Sequence, residues 1–161
     1  MKKLFCALLF ICLCMLGACG EPQSGAPDAT PASDESQLYG LDFTEEEIQS
    51  AVAAAKQYYT KLASEEIDAS LLSEDEVSEV EERNQWLEQG VQVEYREEDA
   101  LRYIAGSGVK DIIAEKGAGT VIILQVTVPA APEDSAWNQR VMELNRDSAQ
   151  SAWYFRTEGP L

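Results

Sequence analysis

The chain has 161 residues, with 12 Lys plus Arg against 29 Asp plus Glu and no histidine, giving a net charge of −17. That excess of anions excludes nucleic-acid binding, which rests on neutralising phosphates. The missing imidazole removes the commonest general base near neutral pH, the usual zinc ligand and the middle member of a Ser-His-Asp or Cys-His relay.

Met1-Lys2-Lys3 is a short positive start, and Leu4 to Leu16 is an uncharged apolar run of thirteen residues. This is the layout of a signal peptide. The run is shorter than the roughly 20 residues a spanning helix needs, and a Pro-containing polar stretch follows it. The sequence Leu16-Gly17-Ala18-Cys19 resembles the bacterial lipobox, in which a large aliphatic and two small residues precede a cysteine. The resemblance covers residues 1–19. It implies recognition of Leu16, Gly17 and Ala18 by the lipoprotein signal peptidase, cleavage after Ala18, and a diacylglyceryl group on Cys19. The chain would then be lipid-anchored at the extracytoplasmic face of the cell membrane. One acyl chain holds a protein only marginally, whereas two give stable attachment.

Cys6, Cys12 and Cys14 would leave with the signal peptide and Cys19 would carry lipid, so no thiol remains for a disulfide, a zinc site or redox work. No cofactor and no metal site are expected. Loss of Lys2 and Lys3 makes the mature charge −19, so basic residues would not bind this chain to anionic headgroups.

Residues 20–38 hold Pro22, Pro27 and Pro31 among small and acidic residues. With no apolar periodicity, they read as a flexible tether with a reach of roughly 25 Å. The expected organisation is a signal peptide over 1–18, a lipidated cysteine and tether over 19–40, and one globular α+β domain over 41–161. Its acidity is lopsided: residues 41–99 carry a balance of −14 and residues 100–161 a balance of −1. The first part reads as a solvated helical layer and the second as the home of the sheet.

Within the domain, Phe43 to Ile48 contains a capping box built on Thr44 and Glu47, which predicts a helix from Glu45 to about residue 63. Ile48, Val52, Ala55, Tyr59 and Leu62 form its apolar stripe. Ser73 to Glu76 repeats the capping logic and starts a second helix with Val77, Val80, Asn84 and Leu87 on one face. Its run of acids lacks the spacing that folds carboxylates around calcium and reads as a solvated face. Val91, Val93 and Tyr95 alternate with polar residues as in a half-buried strand. Residues 98–105 are ambiguous, with a helical turn around Ala100, Leu101 and Ile104 as one reading. Gly106-Ser107-Gly108 is a turn, and Val109 to Lys116 a short helix stopped by Gly117.

Thr120 to Val128 is β-branched and is expected to be the central strand. Ile122, Leu124, Val126 and Val128 form one face, expected to pack on Ile48, Val52, Ala55 and Tyr59. Val121, Ile123, Gln125 and Thr127 form another face that turns polar toward its end, as it would if helices covered only part of it. Gln139 to Arg146 and Ala152 to Thr157 are expected to form a hairpin, with Trp153 and Phe155 alternating against Tyr154 and Arg156.

A leading amphipathic helix, a shorter helix and a strand-rich second half containing Arg146, Trp153, Glu158 and Gly159 resemble nuclear-transport-factor-2-like small lipoproteins of Gram-positive bacteria. The resemblance covers residues 41–161 and implies a cone in which a curved antiparallel sheet wraps the long helix. No catalytic residues transfer, because enzymes of that superfamily usually draw on a histidine. The expected function is therefore a tethered binding or interaction module without catalysis, holding an unknown protein or small-molecule ligand. Tyr95, Trp137 and Trp153 are the candidate contacts. A homodimer is compatible with this reading, and a carboxylate- or Tyr-based enzyme with its substrate in the cone is the alternative.

Overall fold

The computed structural model of the chain describes residues 34–66 and 68–161. The expected signal peptide, the lipobox residues Leu16, Gly17, Ala18 and Cys19, and the tether up to residue 33 lie outside the described residues. The described structure is α+β. Its helices are α1 (Asp34–Tyr39), α2 (Glu45–Ala63), α3 (Glu74–Glu88), α4 (Glu97–Gly106) and α5 (Val109–Lys116). Its strands are β1 (Gln92–Glu94), β2 (Val121–Thr127), β3 (Gln139–Asn145) and β4 (Tyr154–Pro160). The strands form one open antiparallel sheet in the order β1-β2-β3-β4.

Both expected capping boxes are present. Thr44 Oγ1 accepts from the Glu47 N–H at 3.3 Å while Glu47 Oε2 accepts from the Thr44 N–H at 2.9 Å. Ser73 and Glu76 repeat the arrangement at 3.3 and 2.8 Å. Each satisfies backbone donors that the first turn of a helix leaves without partners.

The first face of the sheet follows the sequence. Ile122, Leu124 and Val126 of β2, with Val128, join Met142 and Leu144 of β3 in a cluster with Ala51, Val52, Ala55 and Tyr59 of α2 and Leu87 of α3. Leu124, Met142 and Ile122 are fully enclosed there.

The second face is covered in part, as its pattern along β2 implied, but by one helix more than the sequence assigned. Residues 98–105 lie inside a full helix, α4, whose first turn carries Glu97, Glu98 and Asp99, anions that suit the positive end of the helix dipole. Ala100 and Ile104 of α4 pack with Val109 and Ile113 of α5, and with Val121, Ile123 and Val141 of the sheet. Leu41 completes this cluster.

The expected boundary at residue 41 needs correction, because ordered structure starts earlier. Helix α1 occupies part of the expected tether, and its Ser36 is buried and hydrogen-bonds Glu97. Gly40, at φ +64°, passes so close to the Ala118-Gly119 turn that a β-carbon on it would stand 2.4 Å from Gly119 N. Tyrosines and leucines near a Pro-rich stretch carry no period by which six residues of helix could be seen.

The hairpin also differs in detail. β4 runs from Tyr154 to Pro160, and Trp153 precedes it. Glu143 pairs with Thr157 and Leu144 with Phe155, so Arg156 is an extra residue in a bulge. The simple alternation of residues 153–156 therefore breaks. β1 is shorter than the run from Val91 to Tyr95, because only Gln92 to Glu94 align with β2.

Candidate functional site

The three aromatics singled out from the sequence do not form one site. Tyr95 and Trp153 both meet Phe43 edge to face, with ring centroids 5.6 and 5.8 Å apart. The Tyr95 hydroxyl donates to the Leu41 carbonyl at 2.7 Å, and burial pushes its pKa above the ordinary tyrosine value, helped by Glu97 and Asp42. Trp153 is buried under the Arg146 guanidinium, which lies 4.4 Å from the ring centroid. Trp137 is half-buried and carries Arg140 at 4.0 Å and Arg83 at 5.6 Å. Cation–π contact of this kind holds side chains in place. All three rings are thus engaged by the protein itself.

The same holds for the residues that carried the C-terminal resemblance. Arg146 is buried and spends its donors on the Gly119 carbonyl at 2.8 Å, the Ala149 carbonyl at 3.1 Å and Glu47 Oε1 at 2.6 Å. It therefore ties the start of α2 to the Gly119 turn before β2 and the loop after β3, at one end of the sheet. Glu47 is held below its ordinary value of 4.5, first by the Thr44 N–H and then by Arg146. Glu158 accepts from the Tyr59 hydroxyl and from Arg140 Nε at 3.2 Å. Desolvation raises the Tyr59 phenol, and the Glu158 carboxylate adds to the effect. Tyr59, Glu158 and Arg140 would be the carboxylate-and-tyrosine set required by the enzymatic alternative. They sit under α2 as a satisfied internal network, with Tyr59 only 1% exposed.

The open chemistry lies on the other side of the sheet. A chamber of about 210 Å³ sits between α4 and the strands, with Ala100 and Tyr103 on one wall, Ile123, Gln125 and Val141 on the other, and Leu161 nearby. Its cause is the pattern along β2: Val121 and Ile123 are covered, while Gln125 and Thr127 are half-buried. The Gln125 carboxamide and the Tyr103 hydroxyl have no hydrogen-bond partner among the described residues, and no buried side-chain polar atom there is left unsatisfied, so both groups reach solvent. Burial raises the Tyr103 pKa, and Glu143 adds to the shift. At the rim Arg102 and Asp99 hold each other at 3.0 Å. A second, polar hollow of about 360 Å³ shares Asp99, Gln125 and Leu161 with the chamber.

Sequence reasoning missed this place. The polar turn along the second face of β2 was its visible trace, but Tyr103 fell in the unassigned stretch 98–105. Among the described residues no helix is long and apolar enough to cross a membrane, and no group of three or more acids could hold a metal ion. No family model, curated protein or solved structure matches this chain.

Proposed function

We propose that the chain is a lipid-anchored lipoprotein of the extracytoplasmic membrane face whose α+β domain serves as a binding module, its ligand entering the chamber between α4 and the sheet. The observation that carries the binding role is the incomplete cover of the second sheet face. An apolar hollow with a few convergent polar groups is what a small ligand needs, and here Glu47, Glu143, Glu158 and the aromatics singled out from the sequence are engaged in holding the fold. Absence of catalysis is part of the proposal, supported by the lack of histidine and by the internal engagement of Glu158 and Tyr59. A relationship to the nuclear-transport-factor-2-like lipoproteins is also proposed. The long capped helix against an antiparallel sheet and the Arg146–Trp153 contact support it; the helices on the opposite face would be an elaboration.

Anchoring rests on Leu16-Gly17-Ala18-Cys19 and on the apolar run before it. Metabolic labelling with a radioactive fatty acid tests it. The wild-type chain is expected to take up label and Cys19→Ser to take up none and stay uncleaved, because only the thiol accepts the diacylglyceryl group. Label retained by Cys19→Ser would overturn the anchor.

A further inference from the structure

The cover of the second sheet face is not held by α4 and α5 alone. Off the sheet, its buried side chains are Ala100 and Ile104 of α4, Val109 and Ile113 of α5, and Leu41, which belongs to neither helix. Leu41 lies in the short segment that joins α1 to α2. Tyr39 and Phe43, two residues to either side of it, pack against the same cluster.

The polar contacts of this segment fall at the two ends of the cover. At the start of α4, the buried Ser36 donates to Glu97, and the Leu41 carbonyl accepts from the Tyr95 hydroxyl at 2.7 Å. The segment thus grips the residues on both sides of Arg96. After α5, the Tyr39 carbonyl accepts from the Gly119 N–H at 3.4 Å, and Gly40 lies against Ala118 and Gly119 with no room for a β-carbon. The Gly119 carbonyl is held separately by Arg146 Nε at 2.8 Å. Without the segment, the start of β2 would keep that tie to the first face. Helices α4 and α5 would keep their own apolar packing and the exposed bond from Lys116 to the Tyr154 hydroxyl at 2.7 Å.

Parts of a fold held by few buried apolar contacts open at lower free energy than the core. We infer that residues 34–43 are a latch. Docked, they hold α4 and α5 on the sheet; released, they let the two helices leave Val121 and Ile123 together while the α2 side stays folded. This device goes beyond the binding role proposed above and does not depend on it. Its consequence for that role is that the hollow has its α4 wall only while the latch is closed. The latch also adjoins the part of the chain that carries the proposed lipid anchor, so a pull from that side is borne first by α1.

Native-state amide hydrogen exchange of the isotope-labelled full-length chain, followed by NMR at low urea concentrations, tests the latch. In wild type, the amides of α4 and α5 are expected to exchange through one shared opening, with protection at least about tenfold below that at the centre of β2 and β3. Leu41→Ala removes a contact made only while the latch is closed, and is expected to lower the protection of α4 and α5 by at least a further factor of about ten. Ser36→Ala, a milder change at the other contact, is expected to act in the same direction and serves where the Leu41→Ala chain does not fold. Leu124→Val weakens a contact that is lost only in global unfolding, so it is expected to lower the protection of β2 and β3 and leave α4 and α5 unchanged. Equal protection of the two sets in wild type would overturn the separate opening, as would an equal response of both sets to Leu124→Val. Protection of α4 and α5 that is indifferent to Leu41→Ala, or to Ser36→Ala in its place, would overturn the latch itself.

Discussion

The two faces of the sheet are built from the same strands but are finished differently. On the first, α2 and α3 lay a capped amphipathic layer over Ile122, Leu124, Met142 and Leu144, and the charges that enter it are paired with protein partners. On the second, α4 and α5 cover Val121 and Ile123 and stop short, leaving the hollow at Gln125 and Tyr103. One face uses its side chains on each other, and the other keeps some of them available. Under the proposed function, stability would rest on one side of β2 and recognition on the other.

Ile122 and Ile123 test this division most sharply, since they are adjacent, identical and 0% and 3% exposed. Ile122→Ala is expected to fall toward the upper part of the range of about 2 to 5 kcal/mol for such truncations. Ile123→Ala is expected to cost about 1 kcal/mol less, because a side chain beside a hollow has fewer atoms against it to lose. Urea denaturation of both variants gives the comparison; equal losses would mean that the second face is as tightly filled as the first.

Next in size is the strap that closes the second face. Gly40→Ala would place a β-carbon against the Gly119 backbone at a φ that L-residues avoid. It is expected to cost more than about 1 kcal/mol. The same denaturation experiment reads it, and a neutral result would detach α1 and Leu41 from the folded unit.

The smallest expected effect sharpens the first face and depends on pH. The pKa of Glu47 is depressed in the folded chain, so its contribution is fully present above its ordinary value of 4.5 and is lost as pH falls through the lower folded value. Glu47→Gln is expected to melt below wild type at pH 7, and the gap is expected to narrow as the buffer is taken from pH 5 toward pH 3. A gap that stays constant over that window would show that Arg146 does not rely on the Glu47 charge.

Much of the first face could be read from the chain because its signals are local or periodic. Thr44 with Glu47, Ser73 with Glu76, the stripe through Val52, Ala55 and Tyr59, and the β-branched run of β2 each carry their own structural meaning within a few residues. The second face depends on long-range choices. Whether residues 97–106 form a helix over Ile123 is decided by tertiary packing against Val141 and Leu41, not by spacing alone. The aromatics misled for a related reason: Trp137 and Trp153 look like ligand platforms until the guanidinium groups of Arg140 and Arg146, distant in purpose though near in sequence, are seen lying on them.

The bulge in β4 has a consequence for how copies of the chain coexist. A seven-residue edge strand that shows Tyr154 and Phe155 at 41% and 37% exposure offers a ready template for strand addition. The proposed lipid anchor would crowd many such edges into one plane. Arg156, the extra residue of the bulge, reaches Glu143 Oε1 at 2.5 Å and remains 41% exposed along its side chain. Its insertion bends and twists the edge locally, and in a symmetric antiparallel pairing centred on it two guanidinium groups would face each other. Pro160 removes one donor from the same edge. The residue that pairs with a buried glutamate would thus also disfavour the zipping of neighbouring molecules into a shared sheet.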